Sequence, residues 1–565
     1  MSEYTLTILN RRYTKWEIAG ATGVSPDFHP LSAHMFHKDH IRIDECGMPT
    51  LVSSYIRTNP LIPGVLVLEK NRTFGRTENK KRLLYKCIPD NKHLPVFLIP
   101  YDIQLGFSKA IGNKYVLFRF DDWTEPSSYP RGTLVHVLGN VDKFDSYTEY
   151  RLYCRNIHHS IAGLSSKTAE KIKEKDDVVR RIRESPQFRI SQAQSNRILT
   201  IDPPGSRDLD DALSVRIHPT TNLPVVSVYI ANVFVWLETL GLWDYLKDGR
   251  ISTVYLPDKK IPMLPNILSD SLCSLTEGQP RFAVCVHIHF DDQHRMVSAE
   301  FGNVEIVVHR NYHYESAELL RDPVYTQLYE LTTKVDHNIK DSHDVVAFWM
   351  TQANTLCGRE LATHHSGIFR TATLGTSVPA EIPATLSAET QRFLRQWKNI
   401  QCRYETHETG GTHELMNIQS YVHITSPIRR LVDVVNQAIF LQKMGLVESV
   451  SSSASGFCQY WLSHIETINA DMKSVQKVQH ECALLHQFVH SPELIHQTFS
   501  GVVVEHHKTS SENIHTFVVY VDALRVFSRV KTTHWLDIHA EYPISLFLFE
   551  DEDSIRQKIR FHIHV

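Results

Sequence analysis

Apolar and polar positions alternate in two distinct registers along this chain. From Gly64 to about residue 158 the apolar residues fall in short runs, VLVLE, RLLYKC, LPVFLIPY, KYVLFRF and GTLVHVLG, separated by polar turns. Runs of this length and spacing predict strands. Five of them fit a small OB-type barrel, a form that often holds single-stranded nucleic acid, and they fit a ligand-free barrel equally well. Residues 165–185, SSKTAEKIKEKDDVVRRIRES, carry many charges and few aromatics, which predicts an exposed helix or connector. Arg180, Arg181 and Arg183 could meet phosphates there, although such a run is usually a solvated face. The long middle mixes strand-like runs such as VVSVYIANVFVW and FAVCVHIHF with later helical periodicity, so mixed α/β is the expected class. Residues 1–58 yield short apolar runs and no motif.

The densest chemistry lies in RILTIDPPGSRDLDDALSV, residues 197–215, which places Asp202, Asp208, Asp210 and Asp211 within ten residues. The run Ile198–Ile201 predicts a strand that delivers Asp202, and Pro203-Pro204-Gly205-Ser206 predicts a turn that brings the later acids back toward it. Carboxylates held that close repel one another, so they share protons or gather divalent cations. All-oxygen donors without nearby Cys or His suit Mg²⁺ or Mn²⁺ rather than zinc.

A second constellation is YVHITSPIRRLVDVVNQAIF, residues 421–440. Thr425-Ser426-Pro427 predicts a helix start, with Ile428, Leu431, Val434 and Val435 on one face. That places Arg429 and Arg430 at a helix N-terminus, where the macrodipole favours anions rather than cations. The arrangement suggests a phosphate ligand, and an ordinary salt bridge to Asp433 explains it as well.

Composition narrows the picture by exclusion. The 565 residues, 42% hydrophobic and 22% charged, are far from the composition of disorder. No apolar run approaches a membrane span and the N-terminus lacks a secretory h-region, so an intracellular protein is expected, with the cytoplasm as default and no membrane partner. Nine cysteines without a CxxC pair predict free thiols. The 33 histidines show no repeated ligand spacing and read as ordinary surface and partly buried side chains. A net charge of −3 gives no general attraction for a polyanion, so any nucleic acid would have to be met by a local basic surface.

TIDPPGSRDLDDA and, about 220 residues later, HITSPIRRLVD resemble the RNB family of exoribonucleases. VYLPDKKIPMLPNILSDSLCSL, residues 254–275, is similar to a third family segment lying between them. The resemblance implies a multidomain α/β protein with a central mixed α/β RNB catalytic domain at 186–492, flanked by OB-fold β-barrels at 59–160 and 498–565. It implies that Asp202, Asp208, Asp210 and Asp211 form the acidic centre for two divalent cations, Mg²⁺ with Mn²⁺ as a substitute. It assigns the catalytic arginine to Arg429 and base stacking at the RNA 3′ end to Tyr255, with Arg430 beside the substrate. The implied reaction is 3′-to-5′ hydrolysis of single-stranded RNA to 5′-mononucleotides. Ile424, Leu431 and Asn436-Gln437 depart from the residues usual around the arginine motif, which is expected to change packing more than chemistry. In NADMKSVQKVQHECALL no later polar group can be matched to the family residue by residue. A catalytically silent RNB-like scaffold that binds RNA is the alternative. A nucleotide-sugar transferase using Asp208-Leu209-Asp210 as a DxD site would leave Asp202, Asp211 and the arginine motif without a role.

Overall fold

The computed structural model describes residues 3–19, 28–44, 46–77, 81–103, 112–124, 129–193, 197–374, 382–383, 385–387, 390–391, 394, 400–407, 418–507, 514–550 and 557–564. By its internal contacts the chain divides into two units, residues 1–158 with 480–565, and residues 159–479. The expected catalytic domain ran to 492, whereas the division falls inside one continuous helix, Ile465–His490.

In the first unit the residues that gave no motif form a four-stranded antiparallel sheet in the order Trp16–Ala19, Glu3–Ile8, His40–Ile43, Pro49–Ser53. Next comes a closed barrel in the order Ile62–Leu66, Leu83–Pro89, Phe97–Tyr101, Arg131–Asn140, Lys114–Asp122. Its interior is filled by Tyr85, Cys87, Phe97, Val116 and Phe118. Gly64 is needed on that wall, because a Cβ there would come within 2.9 Å of Cys87 Sγ and 3.0 Å of the Phe118 ring. The C-terminal strands make a five-stranded sheet in the order Val526–Thr532, His515–Val521, Thr498–His507, Glu541–Glu550, Gln557–Ile563. In the expected strand run there, residues 508–513 lie outside the described residues.

The second unit is built on a six-stranded mixed sheet in the order Ser191–Gln192, Met296–His313, Ile198–Asp202, Asp211–Ile217, Pro224–Ala231, Pro280–Phe290. The last strand pairs again with Met296–His313, its hairpin partner. Ile198–Asp202 is central and buried through Ile201, which explains its mostly apolar run, broken only by the buried Thr200. It runs parallel to Met296–His313 with Asp202 opposite His313, and antiparallel to Asp211–Ile217 with Leu199 opposite Leu213. Asp202 therefore ends one strand where Asp211 begins its antiparallel neighbour, and both carboxylates sit at the same end of the sheet.

Helices cover this sheet, among them Val233–Leu240, Ser342–Thr363 and Leu431–Lys443. The charged stretch at 165–185 is two helices, Ala162–Lys171 and Lys175–Glu184. Its arginines are paired within the chain: Arg180 and Arg181 with Asp177, and Arg183 Nε with Glu305 at 3.0 Å. Asn436 and Gln437, the two departures on the arginine-motif helix, are fully buried cross-links. Asn436 bonds both the N–H and the carbonyl of Ile368, while Gln437 accepts from Phe234 N–H and donates to the Ala231 carbonyl. Each amide satisfies backbone groups at the edges of other elements, which is why polar residues are tolerated there. Among the described residues, no helix is long and apolar enough to cross a membrane.

Candidate active site

The loop after Asp202 is fixed from several sides. Ser206 N–H donates to the Pro203 carbonyl at 3.2 Å, and Gly205 has φ +83°, a conformation that favours glycine. Ser274 braces the return, accepting from Leu209 N–H at 3.1 Å and donating to the Arg207 carbonyl at 2.7 Å. Leu275 N–H donates to the Leu209 carbonyl, Ala231 N–H donates to the Asp210 carbonyl, and the Leu209 side chain is buried. One apolar anchor and four backbone carbonyl bonds thus hold the alternating acids in place.

Asp210 is 2% exposed. Its Oδ1 accepts the Ile428 N–H at 2.8 Å and its Oδ2 accepts Arg429 Nε at 3.0 Å. Arg429 is steadied in turn by the Ser426 hydroxyl at 3.0 Å. Asp208 Oδ2 accepts the Tyr255 hydroxyl at 2.7 Å, and its Oδ1 lies 3.1 Å from Lys260 Nζ. Among the described residues, Asp202 Oδ2 is buried without a hydrogen-bond partner. All four aspartates, Tyr255 and Arg429 line a single cavity of about 560 Å³.

Burial in that wall pushes the Asp202, Asp210 and Asp211 carboxyls up to about 7. Repulsion adds to the effect, between Asp202 and Asp211 and from Asp210 on Asp202, while the Arg429 guanidinium opposes it for all three. Three buried carboxylates thus share the field of one strongly held cation. Tyr255 is raised as well, by burial and then by the neighbouring Asp208.

The arginine motif differs from its expected form. The helix begins at Leu431 with Arg430 as its N-cap, not at Ser426-Pro427. Extended pairing overrides the local start signal: Arg430 bridges Ser252, Leu431 N–H donates to the Ile251 carbonyl and Thr253 N–H to the Arg429 carbonyl. Arg430 Nη2 donates to Asp433 Oδ1 at 2.9 Å, and the same oxygen accepts the Ser426 N–H at 2.7 Å. The two adjacent arginines are therefore divided, Arg429 toward the aspartates and Arg430 into an intrahelical ion pair at the rim of the same cavity.

Several contributors were not apparent from local pattern. Lys260 pairs with Tyr255 across a two-stranded ribbon, Val254–Tyr255 with Lys260–Ile261. Gln479, in the late helix that offered no match, accepts the Tyr255 N–H at 3.3 Å. Tyr314 donates its N–H to the Asp202 carbonyl and stacks on His343 at 3.6 Å between ring centroids. Asn354 accepts the Ile424 N–H at 3.0 Å and donates to Tyr421 Oη at 3.1 Å, tying the arginine segment to the helix Ser342–Thr363. Lys260 lay within a quoted motif, whereas Tyr314 had only its place at the end of a long strand as a signal.

The donor chemistry suits a hard divalent cation, since the site offers oxygen ligands and an orphaned buried carboxylate oxygen at Asp202. Among the described residues, no three His, Cys, Asp or Glu side chains stand together at ligating spacing as they are. Asp208 and Asp210 are turned instead to Lys260, Tyr255 and Arg429.

A carboxylate-lined cavity at one end of a mixed α/β sheet, in a chain that also carries a small closed barrel, defines the multidomain RNB class of fold. Comparison with known proteins agrees. Residues 191–327 match the RNB domain and residues 84–153 match the Dis3-like cold-shock domain 2. Ribonuclease R of Thermotoga maritima is 28% identical over 319 residues, covering 54% of this chain and 42% of that protein. Ribonuclease R of Mycoplasma genitalium, solved with ribose-methylated single-stranded RNA, superposes with a TM-score of 0.70 at 16% identity, covering 99% of this chain and all of that one. Yeast Ssd1, described as a pseudonuclease, superposes at 0.61 with 14% identity, covering 94% of this chain and 78% of that one. Over residues 191–327 the chain carries an RNB domain, and it resembles the RNB-family ribonucleases. It spans less than half the length of the first curated relatives it matches, 42% of one and 21% of two others.

Proposed function

We propose that the chain is a divalent-cation-dependent 3′-to-5′ exoribonuclease that hydrolyses single-stranded RNA to 5′-mononucleotides. The observation that carries this reading is the convergence of Asp202, Asp208, Asp210, Asp211 and Arg429 on one cavity, with three of the carboxyls held near neutrality by burial and mutual repulsion. Perturbed acids gathered in a cleft are the usual mark of a working site. Asp202 and Asp211, with Asp210 behind them, would hold Mg²⁺ or Mn²⁺, which when bound acidifies a water and offsets charge on the phosphodiester. Arg429 meets the negative charge that builds on the non-bridging oxygens during attack. Tyr255, 41% exposed beside Asp208, offers its ring to the terminal base. Arg430, committed to Asp433, acts on substrate through its charge at the cavity rim and by positioning Arg429.

One observation favours a second reading. Asp208 and Asp210 already have protein donors on both carboxylate oxygens, an arrangement that a silent RNA-binding scaffold could keep without any metal. A 5′-labelled single-stranded RNA incubated with Mg²⁺ separates the two. Shortening from the 3′ end, abolished by EDTA and by Asp210→Asn and absent on the matching DNA strand, is the expected result. Intact RNA bound equally by wild type and variant would establish the scaffold.

A further inference from the structure

Tyr255 and Lys260 are direct cross-strand partners in their two-stranded ribbon, and the Leu256 N–H donates to the Lys259 carbonyl at 2.9 Å to close the turn between them. Partners directly opposite in an antiparallel pair carry side chains on one face. Both reach the same carboxylate: the Tyr255 hydroxyl lies 2.7 Å from Asp208 Oδ2 and Lys260 Nζ lies 3.1 Å from Asp208 Oδ1. Lys260 also reaches Asp270 at 3.0 Å, and Asp270 is itself held by the Ser269 hydroxyl at 2.7 Å. The side chains of Lys260, Asp208 and Asp270 are 24%, 8% and 18% exposed, so the ammonium is held in a shielded position rather than waving in solvent.

An ammonium is a compact point charge with three donors and no acceptor, and it can neutralise a carboxylate as a metal does. A cation binding at Asp208 would have to compete with both the lysine and the tyrosine for the carboxylate. Among the described residues, Asp202 Oδ2 has no hydrogen-bond donor for a cation to compete with. Resting on the exoribonuclease reading, we propose that Lys260 is a built-in cation that takes the place of one of the two divalent ions an acidic centre of this size would otherwise gather. The chain then binds a single ion, at Asp202 and Asp211, and Lys260 sets that count.

The test is Mn²⁺ titration of the full chain without RNA, followed by the paramagnetic resonance signal of the free ion. Wild type binds one Mn²⁺, lost in Asp202→Asn. Lys260→Met, which keeps the length of the side chain without its charge, binds two, the second at least tenfold more tightly than any second ion in wild type. Lys260→Arg, which keeps the charge, binds one. Thermal melting of both lysine variants near that of wild type shows that they fold. Two ions in wild type, or one ion in Lys260→Met, overturns the proposal. If wild type holds one ion that Asp202→Asn removes and Lys260→Met still holds one, the lysine inference fails while the metal-dependent reading stands. If no protein binds Mn²⁺, both fail.

Discussion

Two places in the molecule bury charge, and they do so in opposite ways. In the first unit Arg151, on the helix Phe144–Cys154, is 6% exposed and lies between Glu481, 2.6 Å from its Nη2, and Asp90, 3.4 Å from its Nη1. In the second unit Asp202, Asp210 and Asp211 share Arg429, and their carboxyls are pushed up to about 7. Arg151 is pushed the other way from a group losing its charge: Tyr147 first, then Glu481 and Asp90, hold its proton more tightly despite burial. Matched charge of the first kind is architecture, because removing a partner leaves an uncompensated ion. Surplus charge of one sign costs stability and persists where something from outside completes it.

Substitutions at the two places should therefore separate activity from stability. Asp210→Asn is expected to lower the RNA-degradation rate at least about 10³-fold, since it removes both an acid of the centre and the partner of Arg429. Its thermal stability should hold or rise, because a destabilised buried carboxylate has been removed; a melting temperature lowered by many degrees would refute the contrast. Arg151→Ala should do the reverse, losing roughly 3–5 kcal/mol of stability by urea unfolding while retaining its rate per folded molecule. Arg429→Ala lies between them in kind, with an expected loss of about 10²- to 10³-fold in kcat and little change in RNA binding. A loss confined to KM would place Arg429 in binding rather than in the transition state.

The surplus charge also predicts a pH dependence. Asp202, Asp210 and Asp211 titrate near 7 in the folded chain, against an ordinary aspartate value near 4 when unfolded. The folded state thus binds more protons than the unfolded state between those values, so stability from these groups is full below about pH 4 and is lost as pH rises through about 7. Other carboxylates titrate in the same range, and the difference between wild type and Asp202→Asn isolates the effect. In EDTA, wild type should lose on the order of 2–3 kcal/mol more than the variant between pH 5 and pH 8. Mg²⁺ at pH 8 should restore much of it; equal slopes for the two proteins would remove the basis for a strained acidic centre.

What the sequence made legible was local. The run Ile198–Ile201, the Pro-Pro-Gly turn and the four aspartates are contiguous, and strand, turn and returning acids all form as their spacing implies. The start of the arginine-motif helix was not legible, because the residues that straighten Arg430 lie near Ser252, almost 180 positions earlier. Tyr314 was missed for the same reason, since it reaches Asp202 only through parallel pairing of strands more than 100 residues apart. Lys260 sat inside a recognised motif, yet its charge gains meaning only from the ribbon register that places it opposite Tyr255. The N-terminal sheet escaped notice because its strands are four to six residues long and their alternation is weak.

Tyr255 carries the smallest expected effect and the finest test of the contrast between matched and surplus charge. Its ring and its hydroxyl have different tasks, the ring available to a terminal base and the hydroxyl bonded to Asp208. Tyr255→Ala removes both and should weaken binding of the RNA 3′ end by about 1–3 kcal/mol, the value of one base stacked on an aromatic ring. Tyr255→Phe keeps the ring and leaves Asp208 Oδ2 without its donor, so RNA affinity should stay within about twofold, a few tenths of a kcal/mol. If Tyr255→Phe instead weakened RNA binding as much as Tyr255→Ala, the hydroxyl rather than the ring would be the group that matters. Tyr255 would then belong with Arg151, a residue kept for the charge it holds in place.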